Sequence, residues 1–212
     1  MSHRFKAIGF DWGGVLYIYS FKLYHTASEY LQLPLEQVRE VYFKHNHLLN
    51  LAECDPKDFW KIVFTELGRG EETDKFMKYI NNMPLGALNH PMFSLVELIK
   101  KRGFKVGLLS NMSSLGALEI RSHGVEKIFE VVFFSVEEQL MKPDPRVYQS
   151  FAKRLGVEPN ELIFIDDSAK SLESAPEVGY TPVLYEDMPS LLNRLVELEV
   201  LKPEDLTTFI TS

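Results

Sequence analysis

Four short apolar runs, Ala7 to Phe10, Lys105 to Leu109, Val131 to Phe134 and Leu162 to Ile165, are each followed by turn residues and then by a helical pattern. Runs this short, without polar alternation, fit strands buried on both faces of a parallel sheet. Thr181 to Tyr185 supplies a fifth. Between them, Met92, Leu95, Val96 and Ile99 recur at helical spacing, and Arg146 to Leu155 follows a proline suited to a first turn. Pro189 to Leu198 gathers Leu191, Leu192, Leu195 and Val196 on one face. Strands alternating with helices predict an α/β fold with a mostly parallel sheet.

One connection is far longer than the rest. A strand–helix–strand unit needs roughly 30 residues, yet nearly a hundred positions separate Asp11 from Ser110 at the ends of the first two strands. With a crossover helix near 91–102 removed, the remainder exceeds the roughly 12 to 15 residues that a structureless loop usually spans. An inserted helical module over 17–84 is therefore expected, on a core of 1–16 and 85–212. Helical stretches near 20–32, 35–48, 56–67 and 72–82 agree, and no strand is evident among them. Asp55, Pro56 and Asp58 form a helix start: a cap, a first-turn proline and a first-turn carboxylate ahead of Phe59 and Trp60.

Composition narrows the function classes. The chain has 212 residues, 45% of them hydrophobic and 25% charged, which suits one substantial core or a core with a smaller insertion. Its net charge of -7, with scattered Lys and Arg, argues against nucleic acid as a partner. Cys54 is the only cysteine, so no intrachain disulfide forms. The start, MSHRFKAIGFDWGG, lacks the apolar stretch of a signal peptide, and no window approaches 18 uninterrupted apolar residues. A cytoplasmic protein without a membrane partner is expected; the sequence leaves its oligomeric state open.

Ligands bind outside the carboxyl ends of strands in an open parallel sheet. Asp11, Ser110 with Asn111, and Asp166 with Asp167 stand at three such ends, and Lys142 follows the strand between them in sequence. Each taken alone reads as a turn, cap or solvated loop residue. Together they place three carboxylates and one lysine at one crevice, where repulsion raises carboxyl pKa values or calls for a cation. Mg²⁺, a hard ion that takes carboxylates, a carbonyl such as that of Gly13, waters and phosphate oxygens, suits the set. His45, Asn46 and His47 fit a packed or solvent-facing role better than a ligand set, since residues two apart on a helix point different ways. Phe59, Trp60 and Phe64 are expected to pack the insertion.

Asp11-Trp12-Gly13-Gly14-Val15-Leu16, Leu109-Ser110-Asn111, Lys142-Pro143-Asp144-Pro145 with Tyr148, and Phe164-Ile165-Asp166-Asp167-Ser168 resemble, in order, the four motifs of the haloacid dehalogenase superfamily. The resemblance covers most of the core, and the insertion corresponds to that family's variable helical cap. It implies a Rossmann-like core with helices on both faces, and Asp11 as a nucleophile that forms an aspartyl-phosphate. It further implies Ser110 and Lys142 as catalytic and phosphate-binding groups, Gly14 and Asn111 beside them on the substrate, and Asp11, the Gly13 carbonyl and Asp166 or Asp167 around Mg²⁺. The substrate implied is a small phosphorylated metabolite.

Two departures modify that picture. The family's phosphatases usually carry a carboxylate two residues after the nucleophile, which protonates the leaving oxygen and then deprotonates water; here Gly13 stands there. Ser171 replaces a common Asn. Three readings follow: a phosphatase that moves its proton by another group, a non-catalytic phosphometabolite-binding module, and a metal-free dehalogenase. Paired Asp166 and Asp167 disfavour the last, because a dehalogenase needs fewer charges around an uncoordinated carboxylate.

Overall fold

The computed structural model describes residues 4–83 and 86–210. β1 (Ala7–Phe10) leads to a short β2 (Tyr17–Tyr19) and then to α1 (Leu23–Leu31), α2 (Leu35–His45), α3 (His47–Asn50), α4 (Pro56–Glu66) and α5 (Thr73–Ile80). The chain returns through β3 (Gly86–Leu88) and α6 (His90–Lys101) to β4 (Lys105–Ser110). There follow α7 (Ser114–Ser122), β5 (Val131–Phe134), α8 (Ser135–Glu138), α9 (Pro145–Leu155), β6 (Leu162–Asp166), α10 (Ala175–Val178), β7 (Thr181–Leu184), α11 (Met188–Glu197) and α12 (Thr207–Ile210). Five strands make one parallel sheet in the order β5-β4-β1-β6-β7. This is the Rossmann-like α/β fold expected from the sequence.

Alternation along the strands explains the layers. Ile8, Phe10, Val106, Leu108, Ile163 and Ile165 pack with Met92, Leu95 and Ile99 of α6 and with Leu191, Leu192 and Leu195 of α11. Ala7, Leu109, Phe133 and Phe164 pack with Val147, Tyr148 and Phe151 of α9. Gly9 and Gly107 make room for α9: a β-carbon on either would stand 2.6 Å and 2.5 Å from the Phe151 ring. Larger residues there would push the helix off the sheet.

Helices α1, α2, α4 and α5 share a separate apolar cluster around Val38, Phe59, Trp60, Val63, Phe64 and Phe76. Trp60 meets Phe76 at 4.8 Å between ring centroids. The predicted start of α4 is realised, with Asp58 N–H donating to the Asp55 carboxylate at 2.8 Å. The expectation that this stretch holds no strand is corrected: Tyr17–Tyr19 pairs antiparallel with Gly86–Leu88. Three-residue strands carry too little alternation to register, and their partners lie far apart in sequence. The stretch read as one helix over 35–48 breaks at Asn46 into α2 and α3. The junction drawn between residues 84 and 85 lies outside the described residues.

Candidate active site

Register brings the strand ends together. Phe10 pairs with Leu108 on one side and Ile165 on the other, so Asp11 leaves the sheet level with Asp166. β1 is central and its two neighbours lie on opposite sides, which opens the crevice where loops diverge. Asp11 N–H still donates to the Ile165 carbonyl at 2.9 Å. Its backbone is thus fixed by the sheet.

Lys142, brought in from the loop after α8, lies beneath these carboxylates with only 4% of its surface exposed. Its Nζ stands 2.9 Å from Asp11 Oδ1 and 2.5 Å from Asp166 Oδ2. Asp166 is completely buried, and its other oxygen accepts from Ser168 N–H at 2.8 Å. Asp11 Oδ1 is buried with no hydrogen-bond partner among the described residues, so the ion pair is its one compensation. Asp167 stands at the exposed rim, and one oxygen from each of Asp11, Asp166 and Asp167 falls within 4.8 Å of the others.

Electrostatics leave this arrangement short of positive charge. Two unit charges 4.8 Å apart repel by about 3 kcal/mol at an effective dielectric of about 20, and Lys142 pairs with only two of the three carboxylates. Burial, reinforced by the Asp11 charge, pushes the Asp166 carboxyl up to about 7. The same two causes raise Asp167. Burial works against the Lys142 charge, but Asp11 and Asp166 outweigh it and the net shift is upward. A divalent cation among the three carboxylates would relieve the excess.

The loop after β1 is a tight turn, with Leu16 and Tyr17 N–H both donating to the Trp12 carbonyl at 2.9 Å. Gly14 has φ +77°, and a β-carbon there would lie 2.3 Å from Asp167 Oδ2, so glycine is required on both counts. Gly14 N–H donates to the Tyr17 carbonyl at 2.8 Å. The turn thus takes up the Gly14 amide, and the glycine leaves space for Asp167. The Trp12 and Gly13 amides have no acceptor among the described residues.

Asn111 is similarly committed. Its Nδ2 donates to the Lys142 carbonyl at 2.9 Å and its Oδ1 accepts from Lys142 N–H at 2.8 Å. Both ends of the amide hold the lysine's backbone, so Asn111 positions Lys142 while lining the same cavity. Ser110 is buried at the end of β4, and its hydroxyl has no partner among the described residues. Tyr148 O–H donates to the Ser171 carbonyl and so anchors the loop after β6.

Above Lys142 opens a cavity of about 470 Å³, walled by Tyr19, Phe21, Tyr24, Tyr42 and Phe43 from the inserted side and by Ser168, Lys170 and Ser171 from the sheet side. Tyr19 was not singled out in the sequence, since no spacing rule links it to Asp11. Two long-range side-chain ties, the first of them between the helical stretch and the sheet, were equally hidden. Ser135 O–H donates to the Asn50 carbonyl at 2.6 Å and its oxygen accepts from Met112 N–H at 3.0 Å. Asn89 Nδ2 donates to the Val15 carbonyl at 2.8 Å. His45 lies away from the carboxylates, paired through Nε2 with Glu66 at 2.7 Å, and Phe59, Trp60 and Phe64 are buried in the helical cluster.

Similarity to known proteins agrees with this construction. The sequence model for haloacid dehalogenase-like hydrolases matches residues 5–179. A curated pig relative, bifunctional epoxide hydrolase 2, is 30% identical over 118 residues, covering 51% of this chain and 20% of its own length. The chain thus spans about a fifth of that relative. A Mycobacterium tuberculosis phosphatase is 27% identical over 182 residues, covering 82% of this chain and 84% of its own. Among solved structures, a HAD family enzyme of Bacteroides thetaiotaomicron in complex with magnesium and inorganic phosphate superposes with TM-score 0.63 at 20% identity, covering 88% of this chain and 98% of its own. Among the described residues, no helix is long and apolar enough to cross a membrane. With the family's sequence model matching most of its length, the chain belongs to the haloacid dehalogenase-like hydrolases.

Proposed function

We propose that this chain hydrolyses phosphomonoesters of small metabolites with Mg²⁺. The observation that carries the reading is the buried Lys142 bridging Asp11 and Asp166, with Asp167 completing a carboxylate triad around space for a cation. Asp11 is the nucleophile and takes up the phosphoryl group as an aspartyl-phosphate, releasing the alcohol. Water then attacks phosphorus and restores the carboxylate. Lys142 holds Asp11 in place and offsets charge as the phosphoryl group arrives, and Ser110 with the Trp12 and Gly13 amides receives phosphate oxygens.

The donor set fits Mg²⁺: it consists of hard oxygens from Asp11, Asp166 or Asp167, and the Gly13 carbonyl. Bound there, the ion would neutralise developing charge on the transferring group. Helices α1 to α5 belong, in this reading, to an inserted cap over 17–84 on a core of 1–16 and 85–212. Its aromatic residues on the cavity select the organic part of the substrate and exclude water during transfer. The phosphatase from Mycobacterium tuberculosis, similar along most of its length, supports this reaction class.

Gly13 supports a second reading, a phosphometabolite-binding module without turnover. One experiment separates the two: phosphate release from a panel of phosphorylated metabolites, with Mg²⁺ and with chelator, beside Asp11→Asn. Release that needs Mg²⁺ and vanishes in Asp11→Asn is expected. Release that survives Asp11→Asn would overturn the nucleophile, and metabolite binding without any release would select the binding module.

A further inference from the structure

Gly13 occupies the position from which a proton-carrying side chain would reach the substrate, yet its backbone is ordinary. It is absent from the positive-φ residues, so a larger residue is not excluded by conformation. What stands in its place is the Tyr19 ring, which would have to shift to admit one. A β-carbon on Gly13 would lie 2.8 Å from Tyr19 Cε2, and the three nearest atoms to that point all belong to this one side chain. The glycine and the tyrosine are two halves of one feature: the ring fills the volume that the missing side chain vacates.

The phenol oxygen lies 3.7 Å from the same point. An aspartate oxygen would stand about 2.4 Å from its own β-carbon by covalent geometry. The Tyr19 O–H thus lies 3.7 Å from where a β-carbon at position 13 would stand, on the side of the site from which that carboxylate is missing. That hydroxyl has no hydrogen-bond partner among the described residues, and Tyr19, 44% exposed, lines the cavity above Lys142. No carboxylate or histidine is among the residues lining that cavity. Of the three lysines that line it, Lys22, Lys142 and Lys170, the buried Lys142 is held by two carboxylates.

The position is also preset. Tyr19 pairs with Gly86 in the β2–β3 ribbon, where a β-carbon on Gly86 would meet Tyr19 Cα at 2.9 Å. Its ring meets Tyr17 edge-on at 5.1 Å, and Tyr17 stacks on Trp12 at 5.7 Å. A row of three rings thus runs from the residue beside Asp11 to the hydroxyl.

We propose that Tyr19 is the proton-transfer residue of this site, replacing the carboxylate absent at Gly13. The inference rests on the phosphatase reading with Asp11 as nucleophile. As the Asp11 oxygen bonds to phosphorus and the P–O bond to the alcohol breaks, the Tyr19 proton passes to the leaving oxygen, giving alcohol, aspartyl-phosphate and phenolate. In the second half, the phenolate takes a proton from the attacking water, the acyl-phosphate P–O bond breaks, and Asp11 carboxylate, inorganic phosphate and Tyr19 phenol are regenerated.

The test compares kcat/KM for phosphate monoesters whose leaving groups run from p-nitrophenol through phenol to simple alkanols, in Mg²⁺, for wild type and Tyr19→Phe. The Phe variant keeps the ring that packs on Gly13 and Tyr17. General acid catalysis is worth about 10² to 10⁴, so alkyl phosphates should lose about 10²-fold or more while p-nitrophenyl phosphate changes little. In a second pair, Gly13→Asp/Tyr19→Ala should recover alkyl phosphate turnover relative to Tyr19→Ala. No loss, or an equal loss across all leaving groups, would assign Tyr19 a packing role and overturn the inference while leaving the phosphatase reading intact. A wild type that releases no phosphate from any ester overturns both.

Discussion

The carboxyl end of the sheet and the interior of the α1–α5 helices are both well buried, but opposite forces hold them. Around Phe59, Trp60, Phe64 and Phe76, burial removes apolar surface from water and aromatic edges meet faces, so most contacts stabilise. Around Lys142, burial removes three charged groups from water and leaves attraction to offset the desolvation of each. One region gains from its own contacts; the other is held in a costly arrangement by the fold around it. Chemistry belongs to the second kind, because only a strained charge balance has something to gain from a cation and a phosphate.

The largest effect should come from removing Lys142, the one buried cation among the described residues. Lys142→Met leaves Asp11 and Asp166 facing each other without their shared partner. Stability should fall by about 3 to 5 kcal/mol, read as the midpoint of urea unfolding, and phosphate release should cease. A variant as stable as wild type would mean that the two carboxylates protonate at no loss, and the contrast between the two regions would then fail.

Titration distinguishes the regions next. The Asp166 carboxyl is raised to about 7 by burial and by the Asp11 charge, against about 4 for an unfolded chain. Between those values the folded protein binds more protons than the unfolded one, so this group's contribution declines as pH rises from about 4 to about 7. Glu66 in α4 is lowered, first by His45 and then by Lys44, so its smaller, solvent-screened contribution is instead lost as pH falls. In chelator, thermal midpoints of wild type relative to Asp166→Asn should drop across that window, and Mg²⁺ should flatten the slope. A difference that stays level without metal would show that Asp166 does not carry the strain.

How far the sequence reveals each region follows from the same physics. Asp11, Asp166 and Asp167 were legible because a buried strand ends where apolar residues stop, and ligand sites gather there. The helical stretch was legible as helices, through Asp55-Pro56 and the aromatic spacing of α4, although its division at Asn46 was not. What stayed hidden depends on pairs that no local pattern connects. Asn111 offers a plausible substrate amide in sequence, yet both its ends bind the Lys142 backbone across 31 positions. Gly14 offers a free amide in sequence, and the turn consumes it. Gly13 looks like a loss until Tyr19 is seen in the space beside it.

The smallest expected effect tests where the two regions join. Ser135 is fully buried between them, donating to the Asn50 carbonyl at the end of α3 and accepting from Met112 N–H after β4. Ser135→Ala removes both bonds while adding no volume, and a lost hydrogen bond of this kind is worth about 1 kcal/mol. Gln139 Nε2 still reaches the Leu51 carbonyl at 3.1 Å, so the junction weakens without opening fully. Native-state hydrogen exchange should then quicken in α3 while α4, sealed by its own aromatic cluster, keeps its protection. If α3 and α4 quicken together by the same factor, the helices respond as one unit through this junction. Ser135 would then be a strut of the whole insertion, and the apolar cluster would depend on the sheet for the stability assigned to it above.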